Sequence, residues 1–140
     1  MGARRIARER ALQALYKLDL APGNVADALE SAWQSDPDAP AGDAESHQFA
    51  HQLVEGTLNA QSALDSLIQE HSQNWRIERM ARIDRNILRL AAFELKFRVE
   101  IPRRVTLNEA IELAKLYGTD DSSSFINGIL DKLAIAVNKP

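Results

Sequence analysis

The chain has 140 residues, of which 45% are hydrophobic and 26% are charged, and its formal net charge at pH 7 is −3. These values predict one globular domain that can bury a core without disulfides or metals. Because cysteine is absent from the sequence, disulfide bonds and thiolate zinc sites are excluded. The composition therefore does not indicate whether the protein works in an oxidising or a reducing compartment. No apolar run approaches a membrane span and no secretory signal is recognisable, so we expect a cytoplasmic protein.

The charges are segregated along the chain. Residues 1–20 carry five basic and two acidic side chains, and residues 76–104 carry nine basic and four acidic ones. In contrast, residues 21–75 carry nine acidic side chains and no Lys or Arg. Two basic segments can bind nucleic acid locally whatever the net charge. Solvated helix faces of mixed charge are the competing interpretation.

The first predicted helix, from Ala3 to Leu20, combines an apolar stripe with a basic flank that ends in the ring of Tyr16. Asn24 is the predicted N-cap of a second helix, from Val25 to about Gln34. The stripe consists mostly of small residues, and the flank is rich in arginine. Their members are Ala7, Ala11, Ala14, Leu15 and Leu18 in the stripe, and Arg4, Arg5, Arg8 and Leu12 in the flank.

The middle of the chain alternates between loops and helices. Residues Asp36 to Ala44 contain two prolines and a glycine and predict a loop within one domain. A long helix is expected from about Glu45 to His71, and one short turn from Arg76 to Met80. The segment from Ala81 to Arg98 predicts the most apolar helix, which we therefore expect to be central.

Pro102 enforces a break after that central helix, and two more helices with a polar corner between them are predicted after it. Thr106 and Glu109 fit a capping box that would start the first of them. Gly118 is expected in the left-handed conformation at its C-terminus. The polar residues from Asp120 to Ser124 then offer N-caps for the last helix.

In that last helix, Gly128 is expected at a close contact with another helix, because a mid-helix glycine is otherwise unfavourable. The inward-facing residues are predicted to be Phe125, Ile129, Leu130 and Leu133. The pattern along the whole chain predicts an all-α fold, a single compact domain of about seven helices over residues 1–140.

The sequence contains one weak pattern of possible metal ligands. His47, His51 and Glu55 share a helix face at i, i+4 and i+8, but no second helix offers the E-x-x-H pair of di-iron bundles, and no H-E-x-x-H motif is present. The run Ser122–Ser124 lacks a nucleophile-elbow pattern. We therefore predict no catalytic residues, no metal and no cofactor, and a protein that is not an enzyme.

Two motifs occur in order near the C-terminus: NEAIELAK, which begins at Asn108, and FINGILDK, which begins at Phe125. They resemble the C-terminal half of the transcription antitermination factor NusB family. The resemblance extends over nearly the whole chain and is weakest between Ala21 and Asp43. It implies a NusB-like helical bundle that binds boxA RNA of ribosomal RNA leader transcripts together with the ribosomal protein NusE. The assembly would include other Nus factors on elongating RNA polymerase.

The resemblance also implies site residues on the first helix. Its arginine-rich sequence is similar to the family helix that contacts boxA RNA. Arg4, Arg5 and Arg8 would hold phosphates, while Gln13 and Tyr16 would face bases. From the residues alone, Tyr16 could equally be a half-buried core residue.

The polar corner would complete the RNA surface. Asp121 matches an acidic residue that lies near the RNA in the family and limits affinity, and the ring of Phe125 lies close by. Ser124 stands where some relatives carry a basic residue. Asp84 and Arg85 align with positions at the NusE contact. An equally good interpretation is that these two residues cap and solvate the start of a helix.

Two other functions stay open at this level. One is the RNA-binding module of a ribosomal RNA cytosine methyltransferase, although the chain has no cofactor-binding βαβ pattern. The other is a helical protein-interaction adaptor whose arginine flank is simply solvated. A homodimer that hides this flank is compatible with the sequence, and so is a monomer.

Overall fold

The computed structural model describes residues 2–140 and contains seven α-helices, one 3₁₀ turn and no strand within that range. This confirms the predicted all-α fold of about seven helices. No described helix combines the length and apolar character that a membrane crossing requires. The elements are α1 Ala3–Leu20, α2 Val25–Gln34, α3 Ala44–Asn59, α4 Gln61–Glu70, the 3₁₀ turn Ile77–Arg79, α5 Arg82–Phe97, α6 Arg103–Tyr117 and α7 Ser122–Ala136.

The helices divide into two compact units, Met1–Leu58 and Asn59–Pro140, and each is described by itself. The first contains α1, α2 and nearly all of α3, and the second contains α4 to α7. That residues 1–140 act as one domain stays a prediction.

In the first unit, α1 and α2 pack against each other, and both have the predicted bounds. Small side chains on α1 allow a close approach, because Ala7, Ala11 and Ala14 are fully buried. The N-cap of α2 is also confirmed, since the Asn24 Oδ1 accepts a hydrogen bond of 2.8 Å from the Asp27 backbone N–H.

The predicted long helix from Glu45 to His71 is wrong, because it is divided into α3 and α4 at Ala60. Leu53 and Leu64 are both buried. Their separation of eleven residues is close to three helical turns of about 3.6 residues. The apolar period therefore continues across the break, and no glycine, proline or capping residue stands at position 60 to mark it.

In the second unit, α5 packs against α4, α6 and α7, which confirms its predicted central position. Three of its charged residues, Asp84, Arg89 and Glu94, are also buried, and each has a partner on a neighbouring helix. Arg89 donates two hydrogen bonds to the Asp65 carboxylate on α4, at 2.7 and 2.9 Å. Glu94 accepts a hydrogen bond of 2.9 Å from the Thr106 hydroxyl on α6.

The predicted capping box of Thr106 and Glu109 is wrong, because α6 begins earlier, at Arg103. The preceding helix α5 ends at Phe97, and Pro102 lies in the predicted break as the N-cap residue of α6, with an extended backbone from which the helix starts directly. Thr106 is therefore the fourth residue of the helix and is only 2% exposed. Its hydroxyl bonds to buried Glu94 rather than to its own backbone.

Both glycine predictions near the C-terminus are wrong. Gly118 has φ −94° and ψ −167°, so it is extended rather than left-handed. What requires glycine there is space, since a Cβ atom would lie 2.6 Å from the Ser122 Cβ and 2.8 Å from the Ala114 carbonyl oxygen. Gly128 is exposed, and a Cβ atom there would meet nothing within 4 Å. It does not mark a close helix contact.

This contrast predicts opposite effects of the same substitution. Gly118→Ala should lower the free energy of unfolding by about 1–3 kcal/mol, because the added methyl group overpacks the corner. Gly128→Ala is the matched control and should leave stability unchanged or raise it by up to about 1 kcal/mol, since alanine favours a helix interior. Chemical denaturation of both variants measures this difference. Equal stability of the two variants would contradict the packing role of Gly118.

Candidate nucleic-acid interface

Two arginines of α1 meet the ring of Phe49 in the first unit. The guanidinium carbons of Arg4 and Arg8 lie 4.5 and 5.4 Å from the ring centroid, within the range of cation–π interactions. Arg4 is exposed, but Arg8 is only 4% exposed, and Leu12 is also buried. Arg8 and Leu12, two members of the predicted basic flank, are therefore not on the exposed surface. Arg8 is buried against the ring of Phe49 on α3. A contact between Arg8 and phosphate stays a prediction.

The other predicted RNA residues of α1 are half-buried: Arg5, Gln13 and Tyr16. Gln13 also has a partner, because its Oε1 accepts a hydrogen bond of 3.5 Å from the Ser35 hydroxyl. Because Tyr16 is half-buried, part of its surface stays accessible. Their contacts with RNA stay predictions.

A second aromatic cluster in this unit was not foreseen. The rings of Trp33 and His47 stack with centroids 4.0 Å apart, and Arg10, which is buried, lies 5.6 Å from the Trp33 ring. His47 also hydrogen bonds the Ala41 carbonyl at 2.7 Å. Within residues 2–140, no three His, Asp or Glu side chains are grouped to hold a metal ion.

In the second unit, a hydrogen-bonded serine holds the corner between α6 and α7. The Ser122 hydroxyl donates to the Asp84 carboxylate at 2.7 Å and accepts from the Thr119 backbone N–H at 2.9 Å. Ser122 is 2% exposed and Asp84 is 9% exposed. Asp121 occupies the N-cap position of α7, but its side chain makes no capping bond. The N-cap position therefore falls within the predicted range Asp120 to Ser124, but no side-chain capping bond accompanies it, and Ser122 anchors the corner.

The corner presents the other predicted RNA residues. Asp121 and Ser124 are exposed, and the Ser124 hydroxyl donates a long bond of 3.3 Å to the Asp121 carbonyl. Phe125 is half-buried and meets Trp75 edge to face, with centroids 5.9 Å apart. Trp75 is 57% exposed and was missed by the sequence reasoning. Its position in the otherwise polar stretch HSQNWR was the available signal.

The two predicted partner-binding residues differ in accessibility. Asp84 is buried and bonded to Ser122, which restricts what its carboxylate can offer to another protein. Arg85 is half-buried, and its Nη1 donates a bond of 3.5 Å to the Ile77 carbonyl. The contact of either residue with a protein partner stays a prediction.

Comparison with known proteins identifies relatives along nearly the whole chain. Residues 5–134 match the model of the NusB family. The transcription antitermination protein NusB of Myxococcus xanthus (strain DK1622) is 54% identical over 140 residues, which cover 100% of both chains. That of Geobacter sulfurreducens is 53% identical over 135 residues, which cover 96% of this chain and 95% of the relative.

Solved structures agree with these sequence matches. NusB of T. maritima has a TM-score of 0.84 and 34% identity, and the match covers 96% of this chain and 92% of the other. A chain in the crystal structure of antitermination factors NusB and NusE in complex with dsRNA also has a TM-score of 0.84. It is 25% identical, over 96% of this chain and 97% of the other.

The corner geometry predicts that two nearby serines differ in importance. Ser122→Ala should lower the free energy of unfolding by about 1–3 kcal/mol, because it leaves the buried Asp84 carboxylate and the Thr119 N–H without a partner. Ser124→Ala removes only a long, exposed bond and should change stability by less than about 0.5 kcal/mol. Denaturant titration of both variants tests this prediction. If Ser122→Ala were as stable as the native chain, Ser122 would not anchor the corner.

Proposed function

This chain belongs to the NusB family of transcription antitermination proteins, and from that premise we propose that it binds boxA RNA of ribosomal RNA leader transcripts together with the ribosomal protein NusE. The observation that carries the proposal is the match along nearly the whole chain to a structure of NusB and NusE in complex with dsRNA. The protein contributes recognition and scaffolding rather than catalysis. Other Nus factors and elongating RNA polymerase complete the proposed assembly.

Phosphate binding is proposed for the arginines of α1. Arg4 is the most accessible of the three, and its guanidinium lies over Phe49, which limits the conformations of the side chain. Arg5 is half-buried and lies beside it. Arg8 is buried against the same ring, so we propose that it orients Arg4 and Phe49 and reaches phosphate with a small part of its surface. Phosphate contacts of this kind position RNA and make affinity salt-dependent.

Base recognition is proposed for the half-buried polar and aromatic side chains. Gln13 and Tyr16 on α1 offer a hydrogen-bonding amide and a partly accessible ring. Phe125, with Asp121 and Ser124 beside it, offers a second ring on the corner. Proteins recognise single-stranded RNA by stacking unpaired bases on such rings, and each stacked base contributes about 1–3 kcal/mol.

We propose different roles for Asp84 and Arg85 in binding the protein partner. Arg85 is half-buried and can contact NusE directly. Asp84 is bonded to Ser122, so we propose that it supports the interface chiefly by holding the start of α7.

The proposal is tested by titrating a fluorescent boxA RNA and a scrambled control, with and without NusE, at two salt concentrations. We expect selective binding to boxA that strengthens when NusE is present. Affinity should fall steeply with salt, because each phosphate contact with single-stranded RNA contributes about 0.7 to the logarithmic salt slope. Equal, weak binding to both RNAs in all conditions would favour a protein-interaction adaptor.

The same titration tests the role of α1. Arg4→Gln should weaken boxA binding and reduce the salt slope by about 0.7, as expected for the loss of one phosphate contact. Lys17→Gln, which removes an equal charge elsewhere on α1, is the matched control and should leave both quantities nearly unchanged.

Asp121→Asn should strengthen RNA binding roughly fivefold, because repulsion of about 1 kcal/mol between exposed charges is removed. Stability should not change, since the Asp121 side chain makes no capping bond. Asp131→Asn removes the same charge from an exposed position on α7 and serves as the control. Fluorescence anisotropy measures the RNA affinity of both variants and of the native chain. Weaker binding by Asp121→Asn would mean that the carboxylate supports RNA recognition.

A further inference from the structure

A cleft of about 480 Å³ lies in the second unit, beside Phe125. One side is formed by residues 70–75, which begin at the last residue of α4, and the other by α7. From α7 it is lined by Phe125, Gly128, Ile129 and Lys132. Its volume falls within the range of about 300–1,000 Å³ that is typical of small-molecule sites.

The α7 side of the cleft has an aromatic ring, a gap and a cation in order. Phe125, Gly128 and Lys132 follow each other at spacings of three and four residues, so they share one face of the helix. Gly128 has no packing neighbour within 4 Å of a Cβ position, so packing does not account for this glycine. Because it lacks a side chain, it keeps the middle of the cleft open.

The opposite side is fixed by the side chain of Gln69. Its Nε2 donates to the carbonyls of Ser72 and Trp75 at 3.2 and 2.8 Å, and its Oε1 accepts from the Ile77 N–H at 3.0 Å. These bonds hold the backbone that carries Trp75. An edge-to-face contact with Phe125 covers at most one face of the indole, and 57% of Trp75 is exposed.

Polar groups complete the lining. The His71 Nδ1 lies 2.9 Å from the Leu67 carbonyl, which can only accept, so Nδ1 carries the proton and the neutral ring has an acceptor at Nε2. Gln73 and Asn74 add amide donors and acceptors. The carboxylate of Glu70, which also lines the cleft, can accept a hydrogen bond from the amino group of a base. The ammonium group of Lys132 can bind a phosphate.

We propose that this cleft binds an unpaired nucleotide of RNA, with its base stacked on Trp75 and its phosphate at Lys132. The proposal rests on the RNA-binding function proposed above, and it extends the RNA surface from Phe125 along α7. An exposed indole, hydrogen-bonding side chains and one lysine are the combination that recognises single-stranded RNA. Because the cleft is lined by polar groups as well as by two aromatic rings, it suits a nucleotide better than the apolar side chain of a peptide.

Two substitutions test the stacking site by different means. Trp75→Ala removes the platform, and Gly128→Leu fills the cleft, so each should weaken binding of boxA RNA roughly 5- to 100-fold. Gly128→Leu should keep or raise the melting temperature, because it removes a helix glycine at an uncrowded position. The matched controls are Leu116→Ala, another exposed apolar residue of this unit, and Asn127→Leu, an exposed α7 residue outside the cleft. Both controls should bind RNA like the native chain.

The phosphate contact is tested by salt dependence. Lys132→Gln should reduce the logarithmic salt slope of RNA binding by about 0.7. Lys115→Gln removes an equal exposed charge from α6 and should leave the slope unchanged.

The outcomes separate this inference from the function on which it rests. If the native chain binds boxA RNA and Arg4→Gln weakens it, but Trp75→Ala and Gly128→Leu bind normally, the function stands and the cleft is not an RNA site. If these two variants lose affinity for NusE alone and keep it for RNA alone, the cleft binds protein and the inference is wrong. If the native chain does not bind RNA in any condition, both proposals fail.

Discussion

The second unit depends on buried carboxylates of α5 that accept hydroxyl hydrogen bonds from its neighbours. Asp84, near the start of α5, accepts from Ser122 at the start of α7, and Glu94 accepts from Thr106 of α6. The two carboxylates are ten residues apart, which is about 15 Å along the helix axis. A buried carboxylate is costly without partners. Each bond therefore favours one placement of the neighbouring helix, and the corner that carries Phe125 is fixed through α5.

The first unit uses a different device, in which aromatic rings hold arginines. Phe49 contacts Arg4 and Arg8, and Trp33 contacts Arg10. A long arginine side chain loses rotamer entropy when it is ordered. Because the ring contacts already restrict these side chains, less entropy would be lost when RNA binds. These contacts give the basic helix a structural role in addition to the RNA-binding role proposed for it. Arg8 and Arg10 are buried, and Arg4 is exposed.

The sequence predicts those features that depend on neighbouring residues. The bounds of α1 and α2 follow from the apolar period and from Asn24, and the central position of α5 follows from its apolar surface. The break at Ala60 could not be predicted, because the apolar period continues through it. Thr106 and Glu109 have the spacing of a capping box, but a distant acceptor, Glu94, takes the Thr106 hydroxyl.

The candidate site divides in the same way. The arginines of α1 are recognisable from their composition and from the family resemblance, whereas the burial of Arg8 involves a ring from another helix, Phe49. The bond between Ser122 and Asp84 joins residues 38 positions apart, and no local pattern indicates it. The contact of Trp75 with Phe125 is equally non-local. Pairings of this kind arise only when the helices pack.

The two glycines near the C-terminus connect this folding argument to function. Gly118 follows the end of α6 and Gly128 lies within α7, and the sequence alone does not show whether packing requires either glycine. At Gly118 the close approach of Ser122 and the Ala114 carbonyl explains the glycine, because any side chain would disturb the corner. At Gly128 no neighbour is present, so packing supplies no explanation, and a helix glycine costs about 1 kcal/mol relative to alanine. Residues that reduce stability without a packing reason are expected at functional sites. The open cleft between Trp75 and Lys132 is the feature that accounts for glycine at this position.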